Sequence, residues 1–540
     1  MEWKRGDCLR FKIVIYMRKR ETGVFIICFI SAFLWMSCSS KPKTAIQQRS
    51  NELRRSSPAS QGVATEGILR FLEAVDKEQL ELHSFMLLRH GRIITEAWWY
   101  PYRSDMNHIM HSVSKTLTST AIGFAVNENL LTVDDAVISF FPQDLPADIS
   151  PHLSALTVKH LLTMTVGNEQ PPVFTKEEDN WVKSFLSTPI PNEPGSRFQY
   201  SSYATYILSA IIQKLTGESV LDYLKPRLLI PLGIDTMQWE VDNRGINTGG
   251  WGVRMKTIDM ARLGQFYLQK GKWQGVQLLP ESWIEEATTA HIYQKPDRTP
   301  EENANDDGAQ GYGYQIWRST HDAYRADGAR GQLIVVLPEK DAVIVTTANE
   351  PNMHRIMKLM WEHLIPVMFD YNLDSDEMSN EMLISSISSL QLPPPYHTPD
   401  SLLPLKNVSY SFHMEPNQEG IQKVSFVFKE DGDILLTLYK EGKEYELPFG
   451  WDVWRYGETE KTGPYYLNKR RIPTGLSPFK VTGYGSWIHA NQLNLRLLYL
   501  TESHYENYRC SFMNNQVVIH LTNSEQSNAR IIELKGIREE

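Results

Sequence analysis

The sequence predicts two folded domains, an α+β domain followed by an antiparallel β domain. Three observations lead there. At 540 residues the chain is too long for one ordinary core, and its 41% hydrophobic and 22% charged content is that of a globular protein. Helical-period segments alternate with short strand runs up to about Met368, whereas beyond residue 403 only alternating strands recur. Between them, Ser385 to Asp400 with Pro393-Pro394-Pro395 reads as a connector. The α+β domain is therefore drawn at 61–372, a linker at 373–402 and the β domain at 403–540.

The N-terminus reads as an export signal. Arg18-Lys19-Arg20 precedes the apolar run Val24 to Met36, which is short for a bilayer span, and Ser37-Cys38 follows. A cysteine directly after a small residue resembles the bacterial lipoprotein signal. That resemblance implies a signal peptide over 1–37, lipidation at Cys38 and an exported lipoprotein, periplasmic or anchored at the outer membrane. Residues 38–60, rich in Ser, Lys, Arg and Gln, read as a tether.

Net charge is −9, and the first 37 residues hold seven Lys/Arg against three Asp/Glu, so the remainder stands at −13. A chain that acidic is a poor partner for nucleic-acid phosphates. Of the four cysteines, Cys8 and Cys28 precede Cys38, and only Cys510 follows it. That leaves too few for a disulfide framework or a zinc site. His108 and His111 read as local packing, no His-Glu-x-x-His occurs, and Gly249-Gly250-Trp251-Gly252 lacks the Lys-Ser/Thr of a phosphate loop. No metal and no cofactor is expected.

In chain order, Ala64 to Val75 places Ile68, Leu69, Leu72 and Val75 on one helical face. Phe85-Met86-Leu87-Leu88 and Ile93-Ile94-Thr95 flank His90-Gly91, a hairpin signal. Val113, Leu117, Ala121 and Phe124 predict a buried helix opening near Ser112, and Leu156 to Met164 predicts another helical segment. Pro194-Gly195 turns the chain before Tyr200-Ser201-Ser202, and Ile207 to Leu215 continues at helical spacing. A further helix is expected around Ile258 to Tyr267, strands at Leu333 to Leu337 and Val343 to Thr347, and a last helix from Met353 to Met368. Beyond the linker, strands are expected at Lys423 to Lys429, Ile434 to Tyr439, Leu493 to Leu500 and Gln516 to Leu521, giving a sandwich or a lipocalin-like barrel. Trp451, Trp454, Tyr465, Tyr466 and Trp487 are candidates for a binding face there.

The chemistry concentrates at Ser112. A serine opening a helix sits where free backbone N–H groups and the positive dipole end converge, which favours a developing alkoxide. Lys115 lies one turn up the same face, so its amine reaches the hydroxyl, and burial lowers its pKa so that it can accept a proton. Ser-x-x-Lys also occurs at Ser40/Lys43 and Ser477/Lys480, but neither of those opens a helix.

From about Ala64 to Met368 the chain resembles the serine beta-lactamase/penicillin-binding-protein superfamily, in particular the class C beta-lactamase-like esterases and the 6-aminohexanoate-dimer hydrolases. Ser112-x-x-Lys115 matches the first motif, Tyr200-x-Ser202 the second, and Ala326-Asp327-Gly328 falls where Lys/His-x-Gly stands on the edge strand. The resemblance implies an antiparallel sheet with flanking helices and an all-α subdomain. It also implies Ser112 as nucleophile, Lys115 and Tyr200 as a shared base, and the N–H groups of Ser112 and Ala329 as the oxyanion hole.

The third motif departs from the family. Ala326 replaces the cation that holds a substrate carboxylate, Asp327 stands beside it, and Arg330 is a candidate to restore the positive charge from another direction. Ser202, Trp251, Asp327, Gly328 and Arg330 are thus the expected substrate-binding residues. The expected function is a hydrolase of small-molecule esters or amides in the bacterial envelope. An alternative is transfer of the acyl group to a lipophilic alcohol, with Trp181, Tyr203 and Trp251 walling the acceptor. A binding protein with a spent site, and a true beta-lactamase or D-Ala-D-Ala peptidase, complete the range. All motifs precede Met368, so the C-terminal domain is expected to be separable from catalysis.

Overall fold

Alternation of apolar side chains on both faces explains the central sheet. In a computed structural model, residues 52–170, 179–399, 401–402, 405–464, 476, 478–525 and 531–539 are described. The stretch read as a signal peptide, Cys38, most of the stretch read as a tether, Tyr465, Tyr466 and Ser477 lie outside them. The first elements are a helix, Thr65–Lys77 (α1), and a hairpin of Leu82–Arg89 (β1) and Arg92–Trp98 (β2). His90 and Gly91 turn it, both at positive φ, as a two-residue hairpin requires. Short strands His108–Ile109 (β3) and Val253–Met255 (β4) pair antiparallel near the site. Trp317–Arg318 (β5), Tyr324–Gly328 (β6), Gln332–Leu337 (β7) and Ala342–Ala348 (β8) complete a six-stranded sheet in the order β2-β1-β8-β7-β6-β5.

Strands β1, β7 and β8 feed two cores. Met86, Leu88, Ile334, Val336, Val343 and Val345 face one apolar cluster, while Phe85, Leu87, Leu333, Val335 and Ile344 face the other. Period-2 alternation with both faces covered leaves β1, β7 and β8 buried along their whole length. The first cluster is closed by Ser114–Asn127 (α2), Ser202–Thr216 (α3) and Thr257–Leu268 (α4). Among the described residues no strand occurs between Ser114 and Leu232, so this lobe is helical as the resemblance implies. α2 is buried on every side, since all residues from Ser114 to Ala125 are buried. The segment 156–164 forms only the short turn of helix Val158–Leu162.

The second cluster is covered by α1, by His354–His363 (α5) and by Glu377–Ser388 (α6). α6 occupies the stretch read as a linker. Leu383 is buried, and Ser379 hydrogen-bonds Glu66 of α1 at 3.2 Å. The prolines follow it, but Leu392 is again buried. An apolar position inside the connector was the sign that it packs.

The C-terminal strands form a closed barrel. Val408–Met414 (β9), Ile421–Phe428 (β10), Ile434–Lys440 (β11) and Lys443–Trp451 (β12) run as a meander. Arg455–Thr459 (β13), Phe479–His489 (β14), Gln492–Tyr499 (β15), Tyr505–Met513 (β16), Gln516–Asn523 (β17) and Ile532–Arg538 (β18) follow. β9 pairs with β18, and β12 pairs with β14 in parallel through Gly450↔Tyr484 and Trp451↔Gly485, which closes the ring and leaves β13 outside it. Closure removes the edges that open sheets expose. The interior is filled by side chains such as Phe426, Phe449, Leu495 and Tyr508. Among the described residues, the expected aromatics do not share one face. Trp487 packs in the barrel core, while Trp454, with Tyr484, Leu498 and Leu500, joins the second cluster of the α+β domain. All described residues fall in one compact unit, Ser50–Glu540.

Candidate active site

Ser112 sits in a tight turn, His111–Val113, that runs straight into α2. Two bonds fix the turn: Ser114 Oγ donates to His111 O at 2.7 Å and accepts from Val253 N at 3.1 Å. Lys115, 1% exposed, points back along the helix, and its Nζ lies 3.0 Å from Ser112 Oγ, 3.0 Å from Ser202 Oγ and 2.6 Å from Gly250 O. Ser202 opens α3, capped by Ser201 Oγ, which accepts from Ala204 N. Gly250 allows the contact, because a Cβ there would stand 2.6 Å from Ser202 O.

Tyr200 stands beside Ser112 on the cavity wall, and its ring stacks on Trp317 at 5.7 Å with Lys115 Nζ 4.8 Å from the ring centre. Burial pushes the Tyr200 phenol well above its usual range, the neighbouring Ser112 opposes this, and Asp327 adds to it. The phenol is therefore protonated at neutral pH.

A cavity of about 640 Å³ opens over Ser112, with Tyr200, Ser202, Trp251, Asp327 and Ala329 on its wall. Phe198 and Trp317 flank one side, and Tyr203 and Trp251 the other. Trp181 does not line it but packs behind, 5.8 Å from Tyr203 and 6.0 Å from Trp251. β6 brings the third motif in, though as the strand next to the edge, with two-residue β5 outside it. Its alternation decides which residues matter. Arg325, Asp327 and Ala329 face the cavity, whereas Ala326 is turned into the core with Leu263, Tyr267 and Ile334. Gly328 touches the turn that carries Ser112, since a Cβ there would come within 2.3 Å of Met110 O. That close approach sets Ala329 beside Ser112.

Three described cations at or near the cavity are ion-paired. Arg325 Nε donates to Asp327 at 2.9 Å, Lys295 pairs with Asp306, and Arg330 donates to Glu525 at 3.0 Å. Arg330, expected at the substrate, is thus turned to the barrel and is not on the cavity wall. Among the described residues no cluster of His, Cys, Asp or Glu is placed to hold a metal ion.

The C-terminal domain does not stand apart. His111 Nε2 lies 3.0 Å from Ser503 Oγ of the loop between β15 and β16, and buried Arg254 of β4 bridges Glu240 at 2.9 Å and Glu502 of the same loop at 2.6 Å. Sequence reasoning missed His111, Gly250 and Arg325 as site residues. The period-2 alternation of β6 could have found Arg325, but nothing local signals Ser503 or Glu525.

A family model described as Beta-lactamase matches residues 72–365, just over half of the chain. The 6-aminohexanoate-dimer hydrolase of Paenarthrobacter ureafaciens is 24% identical over 288 residues, covering 50% of this chain and 73% of that protein. Among solved structures, EstCE1, a hydrolase with promiscuous acyltransferase activity, is 16% identical and covers 55% of this chain and 99% of its own, with a TM-score of 0.46. The octameric penicillin-binding protein homologue from Pyrococcus abyssi is 16% identical and covers 87% of this chain and 99% of its own, with a TM-score of 0.44.

Proposed function

This chain belongs to the beta-lactamase family of serine hydrolases, and from that premise we propose that it cleaves neutral esters or amides through an acyl-enzyme on Ser112. The observation that carries the reading is the surround of Lys115 Nζ. Gly250 O can only accept and Ser202 Oγ can accept as well, so a neutral amine can give its N–H groups to these two and turn its lone pair to the Ser112 hydroxyl at 3.0 Å.

On this reading the Ser112 proton passes to Lys115 as Oγ attacks the carbonyl. The N–H groups of Ser112 and Ala329 receive the oxyanion, and loss of one such donor typically costs about 3 kcal/mol of barrier. The protonated Tyr200 phenol supplies a proton to the leaving group, and Lys115, beside the ring, replaces it. Water then enters by the reverse sequence. Among the described residues, the pairing of Arg325 with Asp327 and of Arg330 with Glu525 occupies the two guanidinium groups nearest the third motif, which disfavours beta-lactams and D-Ala-D-Ala peptides. The complete set of Ser112, Lys115 and Tyr200 disfavours a spent site.

A second reading, transfer to a lipophilic alcohol, is favoured by the two aromatic flanks of the cavity, one for the acyl group and one for an acceptor. Export as a lipoprotein lipidated at Cys38 is proposed from Arg18-Lys19-Arg20 and Ser37-Cys38 alone; a Cys38→Ser protein that still sediments with membranes would count against it. The test of the main reading is Ser112→Ala. It should abolish both turnover of short p-nitrophenyl esters and labelling by a fluorophosphonate, and labelling equal to wild type would place the nucleophile elsewhere. Products formed with and without added alcohols separate hydrolysis from transfer.

A further inference from the structure

We propose that the barrel positions the oxyanion hole, through Ser503 and Glu525. The inference rests on the acyl-enzyme reading, in which the N–H groups of Ser112 and Ala329 hold the oxyanion. Each of these donors is flanked by a non-glycine residue in left-handed backbone: His111, φ 44°, immediately before Ser112, and Arg330, φ 69°, immediately after Ala329. Side chains with a Cβ enter that region at a cost, and they stay there when the surroundings hold them.

Here the surroundings are the barrel. His111 is buried and its imidazole is kept neutral by that burial, with His504 adding to the effect; its Nε2 meets Ser503 Oγ at 3.0 Å. Arg330 donates to Ser524 O at 3.1 Å and to Glu525 at 3.0 Å, and Glu525 lies 3.0 Å from His504 Nδ1. Burial alone would raise the Glu525 carboxyl, but His504 and Arg330 outweigh it and keep the group an anion. The two loops that reach in are tied to each other, since Ser524 N donates to Tyr505 O and Tyr505 N donates to Ser524 Oγ, both at 3.1 Å. Arg254 fixes the first loop through Glu502.

One rim of the barrel therefore grips both turns that supply the oxyanion donors. These turns come from distant parts of the chain and touch directly where Gly328 meets Met110 O. Their relative placement decides whether both N–H groups can point at one oxygen, and the barrel holds a side chain from each. Ser503 and Glu525 touch no reacting atom; they are positioning residues. Transition-state charge should depend on them, and ground-state binding should not.

The test uses the full-length chain with Ser503→Ala and Glu525→Gln. For p-nitrophenyl butyrate, kcat and the rate of fluorophosphonate labelling should each fall about ten-fold, with KM within about two-fold of wild type and thermal melting little changed. Ser503→Thr, which keeps the hydroxyl, should restore most of the loss. Folded variants with wild-type kcat and labelling, or losses confined to KM, overturn the proposal. If Glu525→Gln does not fold, the Ser503→Ala and Ser503→Thr pair decides it. Ser112→Ala, measured alongside, separates the claims. An active Ser112→Ala brings down the acyl-enzyme reading, whereas an inert Ser112→Ala with fully active Ser503→Ala and Glu525→Gln removes only the role of the barrel.

Discussion

Arg325 and Asp327, two residues apart on the same face of β6, hold each other at 2.9 Å on the cavity wall. The wall is neutral there because each charge has its partner. Asp327→Asn removes the anion but leaves Arg325 held by Asp307 O and Arg318 O at 3.1 Å and by Ser319 Oγ, so the guanidinium stays in place. A released cation near a partly desolvated site attracts a carboxylate by about 1–2 kcal/mol after screening. The variant should lower KM for an ester bearing a carboxylate about ten-fold relative to a neutral ester of the same acid. An unchanged ratio in steady-state assays would mean that the pair does not set selectivity.

Ala326→Lys should not create a carboxylate anchor. Ala326 is 6% exposed and faces Leu263, Tyr267 and Ile334 rather than the cavity. An ammonium forced into that space lacks partners, and the expected loss of stability is about 3 kcal/mol or more. Denaturant unfolding measures it, and a stable variant that gains activity on anionic substrates would show that the side chain escapes to the site.

Lys115→Ala and Tyr200→Phe should each slow acylation by orders of magnitude, and the double variant should lose far less than the product of the two. Lys115 Nζ lies 3.0 Å from the Ser112 hydroxyl and 4.8 Å from the Tyr200 ring centre, and on the proposed reading the two groups pass one proton between them. Stopped-flow labelling rates for the four proteins give the coupling directly; multiplicative losses would separate the two roles.

Acid should weaken the fold through three buried histidines. His83, His108 and His111 all have pKa values pushed below the ordinary 6.5, chiefly by burial. His83 Nδ1 meets His108 Nε2 at 2.8 Å and stacks on Tyr102, with Glu81 at 3.3 Å, while His111 faces Ser503 and His504. The unfolded chain takes up protons that the folded chain refuses, so this stability is present above pH 6.5 and is lost as pH falls below it. Each such group contributes a slope of up to about 1.4 kcal/mol per pH unit. Urea midpoints measured between about pH 7.5 and about pH 5.5 should drop steeply, and His108→Gln should flatten the dependence.

How far the sequence reveals this site depends on how local each feature is. Ser112, Lys115, Tyr200 and Ser202 could be read because helix spacing and a cap place them, and they meet at one lysine nitrogen. The hairpin at His90-Gly91 and the strands at 333–347 were legible for the same reason, since period and turn chemistry are local. The closed ring of the barrel was not, because closure depends on Gly450 meeting Tyr484 rather than on any strand's own pattern. The facing of Ala326 and Asp327 needed the phase of β6, which a motif match does not supply. The contact of His111 with Ser503 joins residues 392 apart and leaves no trace in either segment.

That long-range contact argues for the opposite of the expectation that catalysis survives without the C-terminal domain. Trp454, Tyr484, Leu498 and Leu500 of the barrel belong to the same apolar cluster as α1, α5 and α6, and Tyr456 donates to Pro101 O at 2.7 Å. A chain ending near residue 399 would expose the other half of that cluster to water and leave Arg254 without Glu502. Trp454→Ala alone should cost about 3–5 kcal/mol as a truncated core side chain. The shortened protein should therefore associate or melt at lower temperature, and any folded fraction should turn over p-nitrophenyl butyrate far more slowly, because both turns of the proposed oxyanion hole lose their outer support. Size-exclusion chromatography followed by kcat on the monomer peak is the measurement. A monomeric, fully active truncation would mean that the α+β domain holds His111 and Arg330 without the barrel.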